Sequence, residues 1–324
     1  MKISVALCTY NGEKFIKEQL NSILNQTIGV DEIVICDDRS KDNTTALINE
    51  YSNKYPGKII LHINQSNLGS NKNFEKAIKL CTGDYIFLSD QDDIWRNDKV
   101  AKTMEVFNTN PSAEGVFSNA NFINDSSEII HNELSLWASV NFFEPSYRNS
   151  TNLFNSLTNI GNFLTGATLC IKKEVKDFCF PFKTTKEFIH DEWFAFLLAE
   201  RKTLFLSTEN LISYRLHSSQ QLGVGVLKTS LKKQKRSIRF NRLMLGVDKP
   251  KSFKDYKSVS RAYFYQYKKY KQLFDDYKDE SFFEISENLK QKYIETDQAM
   301  KKHNFILYWL RKYNDKRKNK RQLD

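Results

Sequence analysis

Tyr85-Ile86-Phe87-Leu88-Ser89-Asp90-Gln91-Asp92-Asp93-Ile94-Trp95 sets an apolar run directly before three carboxylates in four positions. The apolar piece, bounded upstream by Gly83-Asp84, has the length and content of a short buried strand. A strand that ends in clustered acids gathers like charge at one sheet edge, which is costly unless a cation or hydrogen-bond donors sit there. Oxygen-only ligands suit a hard divalent ion, Mg²⁺ or Mn²⁺, which keeps waters and takes its other ligands from a diphosphate. An isolated D-x-D is usually no more than a solvated acidic turn, here ahead of a helix starting near Asn97. The rest of the chain tips that reading.

Three further strands are expected upstream, over Ile3 to Cys8, Glu32 to Cys36 and Ile59 to Ile63. Helical stripes separate them: Phe15, Ile16, Gln19, Leu20, Ile23 and Leu24, then a helix starting near Asp42, then one over Asn71 to Cys81. A fourth helix, Val100 to Phe107, follows the acids. Strands and helices alternating at this spacing predict βαβ units, an α/β fold with a mostly parallel sheet covered on both faces. Ligands of such sheets bind beyond the carboxyl ends of the strands. Thr9-Tyr10-Asn11, Asp37-Asp38, Asn67-Leu68-Gly69 and Asp90-Gln91-Asp92 all fall there.

From Gly115 the pattern turns mixed. Val116 to Asn119, Ala167 to Ile171 and Thr203 to Leu206 read as strands, and Asp191 to Arg201 as an aromatic-rich helix. Residues 124–160 read as irregular and Asn/Ser-rich. Residues 228–324 read as wholly helical, with Phe282, Ile285, Leu289 and Tyr293 on one face, and Phe305, Trp309 and Lys312-Tyr313 also sharing a face.

The 324 residues are 40% hydrophobic and 13% aromatic, enough for a substantial core in one large domain or a domain with an appendage. The net charge of +10 is divided unevenly, because residues 228–324 hold 27 Lys+Arg against 12 Asp+Glu. All of the positive excess lies in that last third, which is the clearest division in the chain. The expected domains are therefore 1–227 and a basic, largely helical 228–324. Five cysteines without a C-x-x-C pair read as small buried thiols of a reducing cytoplasm. Met1-Lys2 leads into a strand rather than a signal-peptide core, and no apolar stretch is long enough to span a bilayer. A cytoplasmic protein, soluble or peripheral on the inner membrane face, is expected.

The motif order Val5-Ala6-Leu7-Cys8-Thr9-Tyr10-Asn11-Gly12, Asp37-Asp38-Arg39-Ser40, Asn67-Leu68-Gly69 and Ser89-Asp90-Gln91-Asp92-Asp93-Ile94-Trp95 resembles the family 2 glycosyltransferases. Leu164-Thr165-Gly166, His190-Asp191-Glu192-Trp193 and Tyr214-Arg215-Leu216-His217 follow in the order of the rhamnosyltransferase-like subgroup that builds O-antigen and capsule chains. The resemblance covers roughly residues 1–225. It implies a GT-A fold, the Rossmann-like nucleotide-diphospho-sugar transferase arrangement, with a helical basic appendage. It implies a nucleotide-diphosphate sugar donor, a divalent metal (Mg²⁺ or Mn²⁺) as cofactor and a lipid-linked oligosaccharide acceptor, with L-rhamnose from a dTDP donor as the case the subgroup suggests.

Residue by residue, the resemblance assigns Thr9, Tyr10 and Asn11 to the nucleotide, Asp38 to the pyrimidine ring N–H, and Asn67, Gly69 and Asn73 to the ribose and sugar. Asp90 and Gln91 fall near the ribose and donor sugar. Asp92 is the expected metal ligand, with His217 completing the metal or diphosphate site. Arg215 is a diphosphate contact through its paired donors. Asp191, at a helix start that favours its charge, is the expected general base, with Glu192 the fallback. Trp95 and Trp193 are expected to wall the sugar pocket. Two departures stand out: Asn119 where the subgroup commonly has aspartate, and Ser218-Ser219 where glycines usually follow the Tyr-Arg-x-His motif.

Other classes remain open on sequence alone. Basic residues mixed with aromatics in 228–324 could serve single-stranded nucleic acid. They suit an anionic membrane surface better, since the acidic first part repels phosphate chains and no nucleic-acid module is recognisable. A helical appendage packed on the catalytic domain or another subunit fits as well, as does a glycan-binding relic without activity.

Overall fold

The structure, a computed structural model, describes all residues except 131–134, 141, 143–149, 218–230, 319, 322 and 324, together with the side chains of 150–152 and 231–237. The Ser218-Ser219 departure lies outside the described residues. The elements run β1 (Ile3–Thr9), α1 (Ile16–Leu24), β2 (Glu32–Asp37), α2 (Thr44–Lys54), β3 (Ile59–Ile63), α3 (Ser70–Leu80), β4 (Tyr85–Ser89), β5 (Ile94–Trp95) and α4 (Lys99–Thr109). Then come β6 (Gly115–Ile123), β7 (Ile129–Ile130), α5 (Leu136–Ser139), α6 (Ser150–Asn159), β8 (Leu169–Lys172), α7 (Lys176–Cys179), α8 (His190–Glu200) and β9 (Leu204–Arg215). Four helices follow: α9 (Leu231–Met244), α10 (Phe253–Tyr277), α11 (Glu280–His303) and α12 (Phe305–Arg317).

Every residue of β1 and β2 is buried, as continuous β-former runs demand when helices cover both sheet faces. Among the described residues the strands form one sheet in the order β3-β2-β1-β4-β8-β6-β9-β5, with β7 on β6. The first four are mutually parallel, and Thr9 lies opposite Asp37 and Leu7 opposite Ser89, so the strands end nearly level. The sequence-predicted loops thus meet at one sheet edge. β8 runs antiparallel between β4 and β6, while β9 runs parallel to β6.

β9 is much longer than the strand expected over Thr203 to Leu206. Register shifts around Asn119 absorb the polar stretch Ser207 to Asn210, and such a bulge lets a strand bend and continue. Beyond it, Ile212 and Ser213 pair with β5, bringing the end of β9 back to the acidic loop. The Asn119 amide is spent at this bulge, where its Oδ1 accepts from the backbone N–H of Ala120 and Trp137. Residues 124–160 are less irregular than expected, since α5 and α6 form there. The five cysteines are free and buried, as expected.

The chain divides into two compact units, one of residues 1–150, 163–184 and 189–228, the other of residues 151–162, 185–188 and 229–324. In the second unit, α10 begins in a capping box, with Asp255 N–H donating to Ser252 Oγ (3.2 Å) and Ser252 N–H to Asp255 Oδ2 (3.1 Å). It packs on α11, with Phe264, Tyr267, Tyr270 and Leu273 of α10 and Phe282, Leu289, Tyr293 and Met300 of α11 all buried, while Val259 joins Leu243 and Met244 of α9. The periodicity read at Phe282, Leu289 and Tyr293 is therefore a core face.

Candidate active site

The loops at the sheet edge are held by their own polar side chains. Thr9 Oγ1 donates to Asp37 Oδ2 (2.8 Å), and Ser40 donates to the same carboxylate through its N–H (2.8 Å) and Oγ (2.6 Å). Asn11 adopts a left-handed φ of 49°, which asparagine tolerates better than most residues. Its N–H donates to Ser40 Oγ and its Oδ1 accepts from Lys41 N–H, both at 2.8 Å. The Asp38 carboxylate gathers the next loop, accepting from Asn64 Nδ2 (2.9 Å), Leu68 N–H (2.7 Å) and Gly69 N–H (2.8 Å). Gly69, at φ 78°, supplies the turn that aims its N–H there. Asn67 is exposed, with Nδ2 on Asp38 O (3.2 Å).

The acidic loop continues from β4. Burial, then the charges of Asp92 and Asp191, push the Asp90 carboxyl up to about 7. Asp93 is buried, accepts the Arg215 N–H (3.0 Å), and is pushed well above the usual carboxylate range by burial first and then by Asp92 and Asp90. Beneath it, burial pulls Lys99 down to about 7 against the opposing charge of Asp93. Lys99 Nζ donates to Ala167 O (2.7 Å) and lies 3.9 Å from the centre of the Trp95 ring. Burial first, and like charge second, favour the protonated form of both the Asp90 and Asp93 carboxyls.

Asp92 is held from the end of β9. Its Oδ2 lies 2.8 Å from His217 Nε2, and Phe15 packs on that imidazole with ring centroids 5.0 Å apart. Octahedral bonds of about 2.1 Å set adjacent ligand atoms about 3 Å apart, so this pair fits two neighbouring corners of a divalent-ion site. Among the described residues, no group of three or more His, Cys, Asp or Glu side chains could enclose a cation. Further ligands would have to come from solvent or a bound diphosphate.

Asp191 approaches from α8. His190 Nε2 lies 2.7 Å from Asp191 Oδ1, and Asn71 Oδ1 on α3 faces both His190 N–H (3.0 Å) and Nδ1 (3.1 Å). Asn71 Oδ1, already accepting the His190 N–H, calls for a proton on Nδ1, and the carboxylate beside Nε2 favours a second one there. Burial, the largest single influence, works against that charge, yet Asp191 and Asp90 together outweigh it and raise the His190 pKa. Phe74 stacks on the ring at 4.3 Å. Gly166 leaves room on the other side: a Cβ there would stand 2.8 Å from Asp191 Oδ1. Asp191 is buried, within range to act on Asp90.

Several residues assigned to ligand contact have other work. Gln91 grips the backbone of Tyr10, accepting from its N–H (2.8 Å) and donating to its carbonyl (3.0 Å), and a Cβ on Gly12 would collide with that amide at 2.2 Å. Asn73 is buried, donating to Cys36 O (2.8 Å) and accepting from Asn64 Nδ2 (2.8 Å). Arg215 is fully buried, and its guanidinium donates to Asp92 O (2.7 Å), Asn124 O (2.8 Å), Ser127 Oγ (3.0 Å) and Glu18 Oε2 (2.6 Å). It ties the acidic loop to α1 instead of facing a diphosphate. Trp95 and Trp193 lie in the interior rather than walling a pocket, the latter donating to Cys179 O (2.8 Å). Glu192 is also buried.

The sequence reading gave no role to Asp93, Lys99, Asn71 or His190. Asp93 and His190 carried a signal, the first as a member of the acidic run and the second by its place in the His-Asp-Glu-Trp run.

Residues 4–177 match the family model described as Glycosyl transferase family 2. The dTDP-rhamnosyl transferase RfbG of Shigella flexneri is 32% identical over 237 residues, covering 68% of this chain and 74% of that protein. The abequosyltransferase RfbV of Salmonella typhimurium is 39% identical over 103 residues, 31% of each chain. Among solved structures, the mannosyltransferase PcManGT of Pyrobaculum calidifontis, in complex with GDP-Man and Mn²⁺, superposes with a TM-score of 0.51 at 16% identity, covering 82% of this chain and 70% of that one. The shared arrangement is GT-A-like, a mostly parallel sheet with flanking helices.

Proposed function

The chain belongs to glycosyl transferase family 2 and is a glycosyltransferase, and from that premise we propose that it transfers one sugar, with inversion, from a nucleotide-diphosphate donor to a hydroxyl of a lipid-linked glycan in cell-surface polysaccharide synthesis. The similarity to a dTDP-rhamnosyl transferase favours L-rhamnose and dTDP. The observation that carries the reading is electrostatic. Asp191 at the start of α8 is near enough for its charge to help raise the Asp90 carboxyl after β4, which supports a base and a diphosphate-side loop working on one sugar.

In this reading Asp191 takes the proton of the acceptor hydroxyl as its oxygen attacks the anomeric carbon. The bond from that carbon to the diphosphate oxygen breaks on the opposite face, and the nucleotide diphosphate leaves. A carboxylate of ordinary basicity suffices, because the hydroxyl becomes acidic only as the bond forms. His190 and Gly166 fix the position of Asp191, which matters because orientation supplies much of such a barrier. Asp92 and His217 would hold a Mg²⁺ or Mn²⁺ ion, whose chemistry is to neutralise charge on the leaving diphosphate. Thr9, Tyr10, Asn11 and the loop gathered by Asp38 would receive the nucleotide. No helix of the described residues is long and apolar enough to cross a membrane. In this reading a lipid-linked acceptor would be met at the inner membrane face. Nucleic acid has no part in this chemistry.

Thermal-shift screening of nucleotide sugars with Mn²⁺ identifies the donor, since a ligand of the folded state raises the midpoint. NMR of the product then reads the anomeric configuration. Inversion supports the reading; retention, or no shift from any donor, defeats it.

A further inference from the structure

The last helix of the second unit is mounted inside out. In α12 the polar residues are the ones turned inward. Tyr308 Oη donates to Asp297 Oδ2 (2.9 Å), Arg311 Nη1 to Asp297 Oδ1 (3.0 Å) and Arg311 Nη2 to Ser260 Oγ (3.1 Å). Lys312 Nζ lies 2.8 Å from Asp297 Oδ2, and Arg321 braces Asp315. Arg311, Asp315 and Asp297 are buried. The opposite face carries Phe305, Ile306, Trp309, Leu310 and Tyr313, each more than half exposed among the described residues. The face-sharing read from sequence therefore holds for Phe305, Trp309 and Tyr313, but Lys312 belongs to the other side.

A helix that only covers a core buries its apolar stripe and leaves charges in water. Here costly buried ion pairs keep large apolar side chains in solvent, an arrangement that makes sense when a second apolar phase covers them. The stripe's surroundings indicate which. Lys316 and Arg317 continue the exposed face at one end and Lys301 and Lys302 precede it at the other, with Lys301 Nζ 5.7 Å from the Trp309 ring. Residues 228–324 carry 27 bases against 12 acids. A second copy would bring like charge against like. Nucleic acid would leave Ile306 and Leu310 without a function. An anionic bilayer answers both features, taking the aliphatic and aromatic groups at the headgroup boundary while the flanking bases meet lipid phosphates.

We propose that the outer face of α12 is a lipid-docking surface that seats the protein on anionic membrane. It rests on the preceding reading only for its purpose, which is to bring the chain to a lipid-borne acceptor.

The full chain is tested by flotation with vesicles of phosphatidylcholine alone and with added phosphatidylglycerol, reading tryptophan emission in parallel. Three of the four tryptophans are buried and Trp309 is 51% exposed, so a blue shift on binding reports α12. We expect flotation and a blue shift only with the anionic vesicles. Ile306→Ser/Trp309→Ser/Leu310→Ser alters exposed positions only and should keep its melting midpoint while binding weakens roughly tenfold or more. Lys316→Glu/Arg317→Glu should weaken binding at low salt most. Trp309→Phe should still float but lose the blue shift. Equal flotation of wild type and the triple variant overturns the proposal. So does a blue shift that grows with protein concentration without lipid, which marks a second copy, or binding to a single-stranded oligonucleotide with none to vesicles. Donor-induced thermal shift and transfer to a water-soluble acceptor are read on the same samples. Loss of both with flotation intact counts against the sugar-transfer reading alone; their retention without flotation counts against the docking surface alone.

Discussion

Both units of this chain bury charge, and they use it in opposite directions. In the first, Asp93, Lys99 and Arg215 lie beneath the acidic loop: Arg215 ties that loop to α1 and the end of β9, and Lys99 ties α4 to Ala167. In the second, Arg311, Asp297 and Asp315 hold a helix so that its apolar side stays out. Replacing buried ion pairs with apolar side chains often costs nothing in stability. Their retention at both places therefore has to be sought in what they position: a charged site in one unit, an apolar surface in the other.

The sharpest way to break this comparison is to remove one arginine from each unit. Arg215→Met strands Glu18 and the Asp92 and Asn124 carbonyls. It should cost about 3–5 kcal/mol, nearer the low end because Glu18 is half exposed, and should reduce transfer with it. Denaturant unfolding and initial rates read the two effects. Arg311→Met should cost about 3 kcal/mol by leaving Asp297 under-paired and release vesicle binding, yet leave the donor-induced thermal shift in place. If the two variants lose the same functions, the division of labour fails.

A finer test lies at Gly166. An alanine Cβ would meet a carboxylate tip, which can move, so Gly166→Ala should cost only about 1 kcal/mol of stability. Because that tip is the proposed base, transfer should fall roughly tenfold to hundredfold while donor binding stays. A variant with unchanged turnover would show that the Asp191 position is not critical. The smallest effect concerns His190. Its folded pKa is raised, so its stabilising contribution is complete below the unfolded value of about 6.5 and fades as pH rises through the folded value. The stability advantage of wild type over His190→Gln should shrink between mildly acid and alkaline pH. A constant difference would contradict the imidazolium assignment.

What could be read from sequence follows from burial. Ile3 to Cys8 and Glu32 to Cys36 are continuous β-former runs because helices cover both faces, and they were legible for that reason. β9 was only half legible, since Ser207 to Asn210 interrupt its apolar pattern at a bulge. α6, written in Ser, Thr and Asn, has little local helix signal and forms in the second unit with α9–α12. At the site, motif order singled out Asp92, His217 and Asp191 as candidates but could not tell which of the other polar groups turn inward. Gln91, Asn73 and Arg215 have the chemistry of ligand contacts and are used on the protein's own backbone and side chains. Trp309 carries the same lesson reversed, an aromatic at core spacing that the fold leaves outside.

The central claim is that the acidic loop and α8 serve one donor sugar in two roles, and it is tested most directly by setting Asp92→Asn beside Asp191→Asn. Donor-induced thermal shift with Mn²⁺ and transfer rate are measured on both. The account predicts that Asp92→Asn loses the Mn²⁺-dependent shift together with transfer. Asp191→Asn should keep the shift and lose transfer by roughly 10²–10⁴-fold. An Asp191→Asn enzyme that transfers at the wild-type rate, or an Asp92→Asn protein whose Mn²⁺-dependent shift is intact, would contradict it.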